Sequence, residues 1–93
     1  MPIQSFRCAD TKGLFEGRRI KRFRAIESVA MRKLAVLNRS GGLDDLRVPP
    51  GNRLEALRGD RKGQFSIRIN DQFRICFNWT AAGPSEVEIV DYH

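Results

Sequence analysis

Histidine, cysteine and unbroken apolar sequence are all scarce in this chain. Its 93 residues include one His, His93, and two Cys, Cys8 and Cys76. A zinc site draws three or four ligands from Cys, His and carboxylates at recognisable spacing, so neither a metal nor a cofactor is expected. The two cysteines form no CxxC motif and no dense disulfide framework, and read as small buried hydrophobes kept reduced. The longest apolar run, Leu34–Leu37, has four residues, where a spanning helix needs about 20. Met1–Cys8 lacks the apolar stretch of a secretory leader. The expectation is a cytoplasmic protein with no membrane contact, forming one domain over 1–93, because single cores are built from roughly 50–200 residues.

Positive charge is plentiful. Seventeen Lys and Arg stand against 11 Asp and Glu, a net charge of +6, and 13 of the 17 are Arg. Arg holds phosphate through a planar fork and stacks on bases, so the composition favours a polyanionic partner; the plainer reading is a solvated cationic face. Arg18, Arg19, Lys21, Arg22 and Arg24 are clustered, whereas Arg47, Arg53, Arg58, Arg61, Lys62, Arg68 and Arg74 are spread through the strand-like half.

Ile3–Cys8 reads as a short first strand, followed by a short helix to Phe15 capped by Asp10 or Thr11. Ile26, Val29, Ala30, Leu34 and Leu37 recur at helical spacing, and Gly41-Gly42 closes that helix. Pro49-Pro50-Gly51 makes a loop, with a helical turn expected at Asp44–Arg47, and Leu54–Leu57 is too short to assign. Phe65, Ile67 and Ile69, then Phe73, Ile75, Phe77 and Trp79, alternate with polar residues as a hairpin does. Its other face carries Ser66, Arg68, Arg74, Cys76 and Asn78, predicting an exposed, arginine-rich sheet face. Val87 and Ile89 mark a last strand. The fold class is α+β: an N-terminal strand and two helices packed on a mostly antiparallel sheet of three to four strands.

The chain ends Asp91-Tyr92-His93, a carboxylate, a phenol and the one imidazole in succession. Alone, this is equally well a frayed final strand. RNA is cleaved without metal when a base takes the 2′-hydroxyl proton, a cation stabilises the phosphorane, and an acid protonates the leaving 5′-oxygen. His93 suits either proton role near neutrality, and Tyr92 suits stacking or phosphate contact. Arg74 and Arg58 suit a phosphate clamp, and Glu55 is a second proton carrier. A single His excludes a two-histidine ribonuclease.

Leu57-Arg-Gly-Asp-Arg-Lys-Gly63, Ser66-Ile-Arg-Ile-Asn-Asp-Gln-Phe-Arg-Ile-Cys-Phe77 and Val90-Asp-Tyr-His93 together resemble HigB-type toxins of the RelE/ParE superfamily. The resemblance runs over essentially the whole chain and implies a small RelE-like domain. It implies the toxin of a bacterial type II toxin–antitoxin system, an mRNA interferase that cuts translated messages on the ribosome. It also implies a HigA-like helix-turn-helix antitoxin, with operator DNA bound only through the complex. By position, Asp91, Tyr92 and His93 match the terminal catalytic cluster, and Arg74 matches the arginine on the scissile phosphate. Arg58 stands where some members have Lys; with Arg68, Arg61 and Lys62 it makes up the expected substrate-binding set. Glu55 stands where some members place a catalytic His, and two readings stay open. Either Glu55 accepts the proton, or His93 and Tyr92 carry the transfers while Glu55 orients Arg58. Two other functions compete: a ParE-like toxin acting on DNA gyrase without nuclease activity, and a nucleic-acid-binding module without chemistry. The Arg18–Arg24 cluster is the expected surface for a protein partner.

Overall fold

Period-two alternation from Phe65 to Ile89 builds three strands of a four-stranded antiparallel sheet whose strands stand side by side in chain order. The structure, a computed structural model, describes residues 1–92. The strands are β1 (Glu55–Ala56), β2 (Gln64–Arg68), β3 (Phe73–Thr80) and β4 (Gly83–Asp91). Ile67, Ile75 and Ile89 face one another across β2, β3 and β4, and all three are buried. The turn between β2 and β3 is fixed by Asn70, whose Oδ1 accepts from the backbone N–H of Gln72 (2.8 Å) and of Phe73 (2.7 Å). An Asn side chain here closes the turn without the Asn-Gly pair of the tightest hairpins.

Two helices cover the isoleucine face. In α2 (Glu27–Arg39), Ala30, Leu34 and Leu37 point inward at helical spacing and are fully buried. A 3-10 turn at Lys21–Ile26 leads into α2 and drives Phe23 into the core, where its ring meets Phe73 edge-on at 6.4 Å. Residues 43–47 form the expected helical turn. Asn52, fully buried, then ties the proline loop together by donating from Nδ2 to the carbonyls of Leu46 (3.1 Å) and Val48 (3.2 Å). No helix among the described residues is long and apolar enough to cross a membrane.

Three expectations change. The first strand is reduced to one parallel bridge, Phe6 with Val87. Residues 4–7 still run along β4: Gln4 donates to the Pro84 carbonyl (2.7 Å), Val87 to that of Ser5 (3.1 Å), and Arg7 to that of Val87 (3.0 Å). α1 (Ala9–Phe15) begins after Cys8 and has no side-chain cap. Asp10 is taken by Arg22, and Thr11 is buried with its Oγ1 accepting from the Ile89 backbone N–H at 3.0 Å. The polar sheet face is also not open: Ser66 and Cys76 are fully buried, Cys76 as expected of a small hydrophobe, whereas Cys8 is only half-buried.

Thr11 is therefore a structural splice between α1 and β4. Thr11→Val keeps the shape but strands a buried N–H, which costs about 1–3 kcal/mol. The expected result is a lower urea midpoint with an unchanged slope, while Thr11→Ser retains most of the stability.

Candidate functional site

The second face of the sheet is set by the same register that builds the core. Ser66, Cys76 and Glu88 stand in one cross-strand row, with Glu55 opposite Ser66 on β1, and Arg68 pairs with Arg74 in the next row. Two arginines directly opposite repel, and each is drawn off by its own carboxylate. Arg68 bonds Asp71 in the β2–β3 turn, and Arg74 Nη1 bonds Glu55 Oε1. Arg74 Nη2 also donates to the Arg53 carbonyl at 2.7 Å. That carbonyl is offered by a left-handed residue, Arg53 having φ 47°.

Arg74 is thus held at its fork with its side chain only 15% exposed, while Glu55 remains 54% exposed. Arg74 Nε and Ser66 Oγ are buried without a hydrogen-bond partner among the described residues. The Tyr92 ring lies beneath the guanidinium, 6.0 Å from centroid to Cζ. The Tyr92 phenol and the Cys76 thiol lie close enough to perturb each other. Burial pushes the Tyr92 phenol up, and the adjacent Cys76 adds to the shift. The Cys76 thiol is also raised, again chiefly by burial. At neutral pH both groups keep their protons, so the phenol is a hydrogen-bond donor and not a base.

Arg61 closes the far side. From the turn before β2 it reaches Glu88 on β4, two strands away, at 2.9 Å, and Gln64 at 3.0 Å. Arg7 approaches the same Glu88 at 4.0 Å.

The structure therefore brings together Arg74, Glu55 and Tyr92 from the expected set, with Arg61 across the same face. It does not bring Glu55 to Arg58; the carboxylate goes to Arg74. Arg58 and Lys62 are exposed on the turn before β2, and Arg68 stands at the β2 end with Asp71. Asp91 registers with Phe73, on the alternation of Ile89 and not of Glu88, and its Oδ2 accepts from Gln72 Nε2 at 3.1 Å. His93 lies outside the described residues. The Arg53 carbonyl, Cys76 and Glu88 were not anticipated as parts of the site. Cys76 and Glu88 carry a sequence signal, since they share the face of Arg74. The backbone carbonyl carries none.

A family described as the RelE-like toxin of the type II toxin–antitoxin system HigB matches residues 6–93. The chain is similar to Toxin HigB-1 of Vibrio cholerae, 49% identical over 55 residues, 59% of this chain and 58% of that protein. It is also similar to an uncharacterised protein of Haemophilus influenzae, 39% identical over 51 residues, 55% of this chain and 50% of that protein. The matches thus span just over half the length of one relative and half of the other. Among solved structures, a YoeB/ParE toxin from Agrobacterium tumefaciens superposes with a TM-score of 0.54 at 17% identity, over 100% of this chain and 99% of that one. That likeness establishes the fold.

Because the chain has one tyrosine, tyrosinate absorbance reports Tyr92 alone. Its titration midpoint is expected above the ordinary phenol value of about 10. Cys76→Ala, which removes the neighbouring thiol but not the burial, should bring it part of the way back.

Proposed function

We propose that this chain, which belongs to the family of HigB-like toxins of type II toxin–antitoxin systems, is a ribosome-dependent, metal-independent mRNA endoribonuclease that inhibits translation. One observation carries the reading: an arginine fork, a protonated phenol and a carboxylate converge on one face of a rigid sheet, at Arg74, Tyr92 and Glu55.

The chemistry follows from those groups. The 2′-oxygen attacks phosphorus, its proton goes to a base, and the 5′-oxygen leaves with a proton from an acid, giving a 2′,3′-cyclic phosphate and a 5′-hydroxyl. In this reading Arg74 meets the negative charge that grows on the non-bridging oxygens, supported by the N–H groups its terminal nitrogens retain beyond those given to Glu55 and the Arg53 carbonyl. His93 takes the 2′-hydroxyl proton, and Tyr92, protonated, gives its proton to the leaving 5′-oxygen, with Asp91 two positions before His93 in sequence. Of the two readings of Glu55, the ion pair favours an orienting residue, with Arg74 rather than Arg58 as the group it orients. Arg58, Arg61, Arg68 and Lys62 border the same half of the chain and contribute to message binding. The partners in this reading are the ribosome and its message, and a HigA-like helix-turn-helix antitoxin through which the toxin meets operator DNA, all in the cytoplasm. No cofactor takes part.

Purified protein is expected to cut a translating message on ribosomes in the presence of EDTA. Combined His93→Ala and Tyr92→Ala should abolish cutting, and Arg74→Ala should slow it by about 100-fold or more. Cutting that survives the terminal double variant removes the site assignment. Inhibition of DNA supercoiling without message cleavage would establish the gyrase reading, and salt-dependent RNA binding with no products would establish a non-catalytic module.

A further inference from the structure

We propose that Ser66 is a positioning residue for Arg74: the guanidinium crosses over it to reach β1, and its hydroxyl receives the Arg74 Nε–H when a phosphate takes over the fork. That phosphate is the scissile one of the nuclease reading, on which this assignment rests.

The placement follows from the order of the strands. Arg74 is on β3, its two acceptors are on β1 and just before it, and β2 lies in between. Neighbouring strands stand about 4.7–4.9 Å apart, so a side chain that bonds two strands away carries its guanidinium over the intervening one. On this face β2 presents Gln64, Ser66 and Arg68. Gln64 Oε1 accepts from Arg61 at 3.0 Å, and Arg68 leans to Asp71 in the turn. Ser66 stands between them, opposite Glu55, and is the smallest of the three. The crossing therefore runs over Ser66, where a longer side chain would occupy the space that the guanidinium needs.

Burial agrees with that path. Ser66 is fully buried although it belongs to the polar face, and the Arg74 side chain is only 15% exposed. Among the described residues, Ser66 Oγ and Arg74 Nε are the two buried side-chain polar atoms left without a hydrogen-bond partner. They are chemically complementary, since Nε–H only donates and a hydroxyl accepts through its lone pairs. Leaving either one unmet is costly.

The fork explains why they are unmet in the free protein. Glu55 and the Arg53 carbonyl turn both terminal nitrogens toward β1, and so fix the plane of the guanidinium. Phosphate oxygens compete for those same nitrogens, most strongly when charge grows on them in the transition state. The plane is then released to tilt, and Nε–H settles on Ser66 Oγ. An interaction gained only at that stage raises the maximal rate and leaves substrate affinity alone. Ser66 acts through Arg74 and touches no substrate.

Two pairs of proteins separate the hydroxyl from size: wild type against Ser66→Ala, and Ser66→Thr against Ser66→Val. The measurement is single-turnover cutting of a message on programmed ribosomes, read as maximal rate and half-saturating toxin concentration. The maximal rate is expected to fall by about tenfold in the Ala and Val variants, with Ser66→Thr within about threefold of wild type. The half-saturating concentration should stay within about twofold throughout. In an Arg74→Lys background, which removes the Nε–H, Ser66→Ala should cost nothing further. Ser66→Ala and this cycle decide alone if the larger variants fold poorly.

A maximal rate in Ser66→Ala within about twofold of wild type overturns the proposal. So does a loss confined to the half-saturating concentration, or an equal loss in the Arg74 and Arg74→Lys backgrounds, which makes the serine purely structural. If wild type cuts no message, the nuclease reading fails and the Arg74 Nε–H resonance decides. With inorganic phosphate as the probe, its exchange with solvent should slow in wild type and not in Ser66→Ala. Exchange unchanged by phosphate in wild type overturns the assignment.

Discussion

The register of β3 between β2 and β4 is the constraint on which the rest of this molecule depends. Ile75 lies in a buried row with Ile67 and Ile89, and its neighbours along the strand, Arg74 and Cys76, necessarily face the other side. Fully burying one such aliphatic side chain contributes about 1.5–3 kcal/mol. A slip of one residue would expose the row and drive a guanidinium into the core, a change costing several times that amount. The site thus inherits its precision from packing on the opposite face. The irregularity between Cys76 and Asn78 adds local bending beyond the site without disturbing the pairs at Arg74, Cys76 and Glu88.

The electrostatics of that face are about direction more than stability. Glu55 is over half exposed, and ion pairs in such surroundings are worth about 0–1 kcal/mol. What the Glu55 carboxylate and the Arg53 carbonyl supply is orientation, two fixed acceptors for a flexible side chain. Arg61 acts similarly at longer range, tying the turn before β2 to Glu88 on β4. The net charge of +6 is therefore unevenly realised. Arginines beside Tyr92 are matched by carboxylates, whereas several on the helical layer are not.

Much of this was legible in the sequence because it rests on periodicity. The alternation from Phe65 to Trp79 fixed β2 and β3 and placed Ser66, Arg74 and Cys76 on one face, and the stripe from Ala30 to Leu37 fixed α2. The gathering of Arg74 with Tyr92 could be anticipated only through family resemblance, since 18 positions separate them. Three things escaped for physical reasons. Alternation distinguishes two faces but not which is covered, so Ser66 read as exposed. Capping residues are recognised by type, yet Thr11 spends its oxygen on a distant strand and Asp10 spends its carboxylate on Arg22. One of the two readings of Glu55 had it orienting Arg58, whereas the antiparallel sheet carries it to Arg74.

The segment along β4 has one more effect. An outer strand offers free N–H and C=O groups on which another chain can add a strand. Here Gln4 takes the Pro84 carbonyl, Ser5 takes the N–H groups of Glu86 and Val87, Arg7 takes the Val87 carbonyl, and Thr11 takes the Ile89 N–H. At the opposite border β1 is only two residues long. Both borders of the sheet are thereby blunted, one by covering and one by brevity, and the nine-residue β4 is kept from templating aggregation.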